Sequence, residues 1–274
     1  MKNISEFNDL KLEFKKIHEL FLSGKFNIVI KKTKKIIKSN PNQIPFYNLL
    51  GLSYRGGKKF KLAEEIFCNA LKIKPNDISI LNNLGSTYRV LGEYPKSEKI
   101  LNQALTINEN DVSTLCNYAN LKRDINKFDE SLKYYEKAYK INNKIPTLVI
   151  NLAGTYQIVG KFELSKNILK KFIEDYPYNA IAHKLLNTVI KYEENDKHQI
   201  KMLSVLKEKK FSEYDEATLL FSIAKSYEDQ KNYKKSYEYF KKANNLQKKL
   251  IKNYSVSEEE QLFKKIKKVF KNTD

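Results

Sequence analysis

A repeat with a period of about 34 residues constrains the fold of this chain more than any other feature of its sequence. Residues 81–104 read LNNLGSTYRVLGEYPKSEKILNQA, and the same skeleton of large and small side chains returns one period earlier, one period later and two periods later. The skeleton residues are Leu50, Gly51, Tyr54, Phe60, Ala63, Phe67 and Ala70; Leu84, Gly85, Tyr88, Tyr94, Ser97, Leu101 and Ala104; Tyr118, Ala119, Lys122, Phe128, Ser131, Tyr135 and Ala138; Leu152, Ala153, Tyr156, Phe162, Ser165, Leu169 and Phe172. Such a period predicts one supersecondary unit repeated along the chain.

Each copy of the period predicts a pair of helices. The apolar residues of a copy form two stripes at helical spacing. Small residues at the eighth and twentieth positions, such as Gly85 and Ser97, are expected to let the two helices approach closely, because larger side chains there would strain the packing. Gly92 suits the end of the first helix and Pro95 the first turn of the second. One such pair cannot bury both of its faces, so the copies are predicted to stack.

The period and its skeleton resemble the tetratricopeptide repeat, a helix–turn–helix unit. The resemblance implies an all-α, right-handed solenoid of about seven helical hairpins with a C-terminal capping helix, in which the first helices line a concave groove. The predicted divisions are a divergent first repeat at 1–42, four regular repeats at 43–178, a degenerate helix pair at 179–211, a last repeat at 212–250 and the capping helix at 251–274.

The C-terminal third carries a narrower resemblance. The segments ATLLFSIAKSYEDQKNYKKSYEYFKKANNLQKKL and NYSVSEEEQLFKKIKKVF are similar to the end of the repeat region in bacterial sulfotransferases that contain tetratricopeptide repeats. In that family the helix that matches residues 258–270 leads into a sulfotransferase domain with a phosphate-binding loop. This chain ends at Asp274 without that loop, so no catalytic or cofactor-binding residue carries over. The resemblance therefore leaves one alternative open. In this alternative the chain is the substrate-presenting part of a sulfotransferase whose catalytic domain is missing or encoded separately.

Two polar rows on the predicted first helices are the candidate binding residues. The rows comprise Arg55, Arg89 and Arg123 at the twelfth position, Asn83, Asn117 and Asn151 at the sixth, Asn48 and Asn82 at the fifth, and Asn120 at the ninth. The sixth and twelfth positions are nearly two helical turns apart and therefore share a face. In the tetratricopeptide family these positions face the groove, and the asparagine row resembles the peptide-binding ladder of O-linked N-acetylglucosamine transferases.

The side chains of these rows suit the binding of an extended or acidic peptide. An amide offers both a donor and an acceptor to a peptide backbone, and a guanidinium offers a fixed fork to carboxylate, phosphate or sulfate. The alternative is that both rows are structural. Asparagine can then tie one repeat to the next, and arginine can pair with acids such as Asp124.

Composition narrows the remaining classes of function. The net charge of +19 comes from 51 basic and 32 acidic residues, and the basic residues are scattered along the chain rather than gathered into a tail. A solvated lysine coat is therefore favoured over electrostatic nucleic-acid binding, which stays a second alternative. His18, His183 and His198 lack metal-ligand spacing, and His183 falls on a packing position. No glycine follows Gly160, so no phosphate-binding loop or cofactor is expected.

The cellular setting follows from cysteine usage and hydropathy. Cys68 and Cys116 are isolated and suit free thiols in a reducing compartment. No apolar run approaches the length that a membrane-spanning helix needs, and the N-terminus lacks an apolar export segment. The sequence thus predicts a cytoplasmic, non-catalytic interaction scaffold. Its partner is expected to be a protein or peptide with acidic groups, a separate sulfotransferase being one candidate, with no membrane partner and with nucleic acid disfavoured.

Overall fold

The described residues of the chain are entirely helical between their turns. The structure is a computed structural model that describes residues 2–208 and 210–250, together with 260, 261, 264 and 267. The helices are α1 (Lys2–Leu22), α2 (Phe26–Ser39), α3 (Ile44–Gly56), α4 (Phe60–Ile73), α5 (Ile78–Val90), α6 (Tyr94–Ile107), α7 (Val112–Asp124), α8 (Phe128–Ile141), α9 (Pro146–Ile158), α10 (Phe162–Asp175), α11 (Ala180–Asn187), α12 (Lys197–Glu208), α13 (Glu213–Asp229) and α14 (Tyr233–Leu250). No strand occurs within these ranges, which confirms the predicted all-α class.

The helices belong to two compact units, residues 1–155 and residues 156–274. In the first unit consecutive helices pack as hairpins, and neighbouring hairpins pack on one another through α2 with α3, α4 with α5 and α6 with α7. Its largest core cluster joins Leu50 and Phe67 of one hairpin to Ile80 and Leu84 of the next. This burial of each hairpin against its neighbour is what the repeated apolar stripes require.

The period sets the lengths and turns of the regular hairpins. Helices α3, α5, α7 and α9 have 13 residues each, and α4, α6, α8 and α10 have 14. Gly92 has a φ of +75° just after the C-cap of α5, as predicted, and Pro95 lies in the first turn of α6. Lys58 and Asn126 occupy the same turn position with φ of 58° and 59°. The left-handed turn is therefore a property of the repeat and is kept where glycine is absent.

Small residues hold the two helices of a hairpin close together, as the sequence predicts. Ser97 Oγ donates to the carbonyl oxygen of Gly85 at 2.8 Å, and Ser131 Oγ donates to that of Ala119 at the same distance. The side chain that faces the missing Cβ of Gly85 is Leu101, at the twenty-fourth position of the repeat. The eighth position is therefore restricted by a large buried neighbour, and the twentieth contributes a hydrogen bond.

The second unit departs from the period at its centre. Helices α13 and α14 form its main hairpin, and α11 and α12 each pack against α13. Helix α11 has only 8 residues and ends at Asn187, and residues 188–196 are not helical before α12 begins. The predicted capping helix at 251–274 lies outside the described residues except for 260, 261, 264 and 267, which are helical. No helix within the described ranges is long and apolar enough to cross a membrane.

Asn187 stands at a small-residue position and is poorly suited to it. The residue is 5% exposed, and its Oδ1 atom is buried without a hydrogen-bond donor. A buried acceptor of this kind costs about 1–3 kcal/mol. We therefore expect Asn187→Ala, which installs the residue found at Ala119 and Ala153, to leave the free energy of unfolding unchanged or raise it in urea titrations followed by circular dichroism. Asn187→Asp should lower it, and a loss of stability in the alanine variant would show that Oδ1 is satisfied.

Candidate functional site

The two polar rows predicted from the sequence lie on the first helices of the hairpins in the first unit, and their asparagines are joined in pairs. Asn83 Nδ2 donates to Asn48 Oδ1 at 2.7 Å, and Asn117 Nδ2 donates to Asn82 Oδ1 at 2.7 Å. In both pairs the sixth position of one repeat meets the fifth position of the preceding repeat. The amides thus link α3 to α5 and α5 to α7, which supports a structural contribution of this row.

The pairing leaves part of each amide for another partner. A side-chain amide has one oxygen that accepts and an amino group that donates twice. In each pair one N–H and one oxygen are used, and within the described residues the oxygen of Asn83 or Asn117 and the amino group of Asn48 or Asn82 have no protein partner. The unused donor and acceptor of each pair lie on adjacent first helices; Asn82 is buried, at 9% exposure, whereas Asn48, Asn83 and Asn117 are half-buried.

The third asparagine pair, Asn120 and Asn151, is arranged differently. Asn151 Nδ2 donates to Asn120 Oδ1 at 3.2 Å, and the same oxygen accepts from Tyr135 Oη at 2.5 Å and from Arg123 Nη2 at 3.4 Å. Three donors converge on this one oxygen, and Tyr135 is itself fully buried. The oxygen of Asn120 is therefore committed to holding α7, α8 and α9 together, and only its amino group is left for a ligand.

The arginine row carries more positive charge than its surroundings neutralise. Arg89 Nη1 forms an ion pair with Asp124 Oδ2 at 2.5 Å, a pairing that the structural alternative anticipated. Arg55 Nη2 donates to Ser86 Oγ at 2.9 Å, and Arg123 contacts only amide oxygens, at 3.4 Å. Neither Arg55 nor Arg123 has a carboxylate partner within the part of the chain that the structure describes. The three guanidinium groups of this row therefore have one carboxylate partner, Asp124, among the described residues.

Burial makes the charged form of Arg55 less favourable. The pKa of Arg55 is lowered first by its burial and then by the neighbouring positive charge of Arg89. The Nε atoms of both arginines are buried and have no acceptor in the described residues. A partly buried guanidinium without a counter-charge favours binding of an anion, since the anion would supply the missing charge.

Sequence reasoning missed a buried chain of polar side chains in the second unit. His183 Nε2 contacts the carbonyl oxygen of Pro177 at 2.7 Å, His183 Nδ1 contacts His198 Nε2 at 2.8 Å, and His198 Nδ1 contacts Tyr192 Oη at 2.7 Å. The carbonyl can only accept, so His183 donates through Nε2 and accepts through Nδ1. His198 then donates through Nε2 and accepts from Tyr192, with both rings neutral. His183 is fully buried, as its packing position predicts.

All four ring nitrogens of His183 and His198 are engaged in hydrogen bonds. No group of three His, Cys, Asp or Glu side chains in the described ranges could hold a metal ion. The pKa of His183 is lowered mainly by burial, and that of His198 is lowered to about 3, first by burial and then by the neighbouring His183 and Lys170. The loss of the period after Asn187 was the available signal, since it brings residues from an irregular segment beside α11.

Profiles of one repeat family match the chain in three places. A profile described as the tetratricopeptide repeat matches residues 76–144, and a second profile with the same description matches residues 44–77 and 217–250. The chain therefore contains tetratricopeptide repeats, as the period predicts. No curated protein matches the sequence.

Solved structures with the same helical-repeat fold include several tetratricopeptide proteins. A tetratricopeptide repeat protein of Parabacteroides merdae is 19% identical, with a TM-score of 0.57 over 91% of this chain and 95% of that one. The pilF protein of Pseudomonas aeruginosa is 15% identical, with a TM-score of 0.59 over 83% and 96%. A thermophilic tetratricopeptide protein of Thermus thermophilus is 14% identical, with a TM-score of 0.59 over 65% and 97%. At these identities the likeness establishes the fold alone.

Proposed function

We propose that the chain is a non-catalytic protein–protein interaction scaffold, and that the face formed by α3, α5, α7 and α9 binds an extended, acidic peptide. The repeats support the scaffold because stacked helical hairpins present extended surfaces for partners. The observation that carries the finer proposal is the arginine row, where Arg55 and Arg123 have no carboxylate partner among the described residues. An acidic peptide would neutralise these two guanidinium groups.

The amide pairs would hold the backbone of such a peptide. Packed helices are about 8–10 Å apart, and an extended chain advances about 3.3 Å per residue. Successive asparagine pairs could therefore contact roughly every third residue of the peptide. The unused donor and acceptor of the Asn48–Asn83 and Asn82–Asn117 pairs match the carbonyl and N–H of a backbone, which would give affinity without reading side chains.

The arginines would supply the preference for acidic side chains. Arg55 is the most informative residue to test, because within the described residues it has no carboxylate partner and its only side-chain partner is Ser86. Arg89 is less informative, since its removal would also release the carboxylate of Asp124 and add negative charge to the face. A single Arg55→Ala variant therefore tests the proposal more cleanly than removal of all three arginines.

We expect the wild-type chain to select acidic peptides from a random peptide array and Arg55→Ala to lose most of these. For a selected peptide, titration calorimetry should show Kd rising at least tenfold, since a charge-assisted hydrogen bond contributes about 1.5–3 kcal/mol. Lys99→Ala is the matched control, because Lys99 is exposed on α6 and its removal changes the net charge equally. Equal selection by wild type and Arg55→Ala would show that the arginine row is structural.

The same reagents separate the two alternatives from the sequence. An electrostatic nucleic-acid binder would bind single-stranded RNA with an affinity that falls steeply with salt and is unchanged in Arg55→Ala. A substrate-presenting part of a sulfotransferase would co-purify with such an enzyme in stable proportion. The expected cytoplasmic location can be checked by fractionating cells that express the tagged chain.

A further inference from the structure

The second unit contains a cavity that is separate from the polar rows. Its volume is about 650 Å³, and it lies between α10, the end of α11, the irregular segment after α11 and the start of α12. This volume falls within the range of about 300–1,000 Å³ that is typical of sites for small ligands. The cavity is therefore large enough to enclose much of a small molecule.

The cavity follows from the interruption of the period. Helix α11 has 8 residues where each regular first helix has 13. At a rise of 1.5 Å per residue, the missing turn and a half corresponds to about 7.5 Å of helix. The segment 188–196 that follows is not helical, and Val189, Ile190 and Lys191 of this segment line the cavity. The cavity therefore lies where the period is interrupted.

Lysines dominate the rim of this cavity. Five line it, and Lys166 is paired with Glu163 at 2.7 Å. The other four, Lys170, Lys191, Lys197 and Lys201, form no ion pair with any residue that the structure describes. They come from α10, the irregular segment and α12, so they surround the cavity from several sides.

The acidic groups of the rim do not balance these lysines. Two carboxylates line the cavity, Glu174 and Asp196. Asp196 Oδ1 is engaged in accepting from the backbone N–H groups of His198 at 2.8 Å and Gln199 at 3.3 Å, where α12 begins. Four unpaired ammonium groups against two carboxylates leave a net positive rim, which attracts anions.

The inner surface of the cavity is apolar or neutral. Ile173 and Leu186 are buried, and Val189 and Ile190 are half-buried beside them. His198 also lines the cavity, and it is held neutral because its two ring nitrogens are committed to His183 and Tyr192. The charges of Lys170 and Lys201 lower the pKa values of His198 and His183 respectively, in addition to burial. Both lysines line the cavity together with His198.

We propose that this cavity binds a small organic anion, with its apolar body on the aliphatic wall and its phosphate, sulfonate or carboxylate group among Lys170, Lys191, Lys197 and Lys201. The apolar wall excludes a bare inorganic anion as the best ligand, since it would leave that surface in water. The lysine rim disfavours cations and neutral ligands. The residues that line this site all belong to the second unit.

The test uses two fluorescent probes that differ in one charged group. These are 8-anilinonaphthalene-1-sulfonate, which carries a sulfonate on an aromatic body, and its uncharged relative N-phenyl-1-naphthylamine. We expect one site for the sulfonate on the full chain and a Kd at least tenfold higher in Lys170→Ala/Lys201→Ala. The affinity for the uncharged probe should be weak and equal in both proteins, and inorganic phosphate should displace the sulfonate only at much higher concentration.

A matched control distinguishes a site from the general positive field of the protein. Lys171→Ala/Lys207→Ala removes the same charge from the same two helices, and neither side chain lines the cavity. This variant should bind the sulfonate within a factor of two of wild type. Equal weakening in both double variants, equal affinity for the two probes, or no binding of the sulfonate would each overturn the proposal.

Discussion

Replacing Gly85 by alanine is expected to lower the free energy of unfolding of the first unit by about 2 kcal/mol. The same substitution at Gly154 is expected to raise it by about 0.5–1 kcal/mol. Both glycines lie inside first helices, α5 and α9, so the gain in helix propensity from alanine is the same for both. The difference between the two variants isolates the packing of one methyl group.

The surroundings of the two positions explain the opposite signs. A Cβ at Gly85 would lie 2.6 Å from Cγ and 2.7 Å from Cδ2 of Leu101, which is fully buried in α6. Cγ is the branch point of the leucine side chain, so rotation of the terminal methyl groups cannot remove the overlap. A Cβ at Gly154 meets no heavy atom within 4 Å. Leu101 or the spacing of α5 and α6 must therefore shift in Gly85→Ala, whereas the new methyl group at position 154 meets no neighbour.

A double variant confirms which neighbour is responsible. Leu101→Ala alone should cost about 2–5 kcal/mol, because it leaves a cavity beside Gly85. In Gly85→Ala/Leu101→Ala the new methyl group occupies part of that cavity, so the total cost should be smaller than the sum of the two single costs. Urea titration with hydrogen-exchange mass spectrometry over residues 78–107 measures these values. Additive costs would show that Leu101 does not limit position 85.

The fold could be predicted from the sequence because the residues that define it recur at the same positions of each regular repeat. Lengths, turns and close approaches return with every period, and even Lys58 adopts the turn of Gly92 without being glycine. A pattern seen several times outweighs a local exception, since each repeat must present the same surface to its neighbours.

The candidate site was less predictable because contacts between repeats do not keep the period. The amide pairs join positions that are one residue further apart than the period, such as Asn48 with Asn83, whereas the sequence suggested rows in strict phase. The offset depends on how adjacent helices are displaced, which periodicity does not encode. The pairing of His183 with His198 and the lysine-lined cavity arise where the period fails, so no repeat could have indicated them.

Acidification from pH 7.5 to pH 5 is expected to lower the stability of the second unit, and His198 is the main cause. The buried His183 and the half-buried His198 are neutral donors and acceptors in the chain from Pro177 to Tyr192. The pKa of His198 is lowered to about 3, chiefly by burial, and that of His183 is lowered for the same main reason. An unfolded histidine has a pKa of about 6.5.

The sign of the effect follows from these directions. Below about pH 6.5 the unfolded chain binds protons that the folded chain excludes, so the stability held above that pH is lost progressively as the pH falls toward about 3. The slope is at most about 1.4 kcal/mol per pH unit for each histidine. Between pH 7.5 and pH 5 most carboxylates stay ionised, so histidine protonation dominates the change in this window.

His198→Gln tests this attribution because a glutamine amide can still donate to His183 and accept from Tyr192, yet does not titrate. Urea titrations at pH 7.5 and pH 5 should show a smaller loss of stability in this variant than in wild type. His18→Gln, which removes a histidine from α1 in the first unit, should keep the full loss. If His198→Gln retained the wild-type slope, the neutral histidine chain would not be the acid-sensitive element of the second unit.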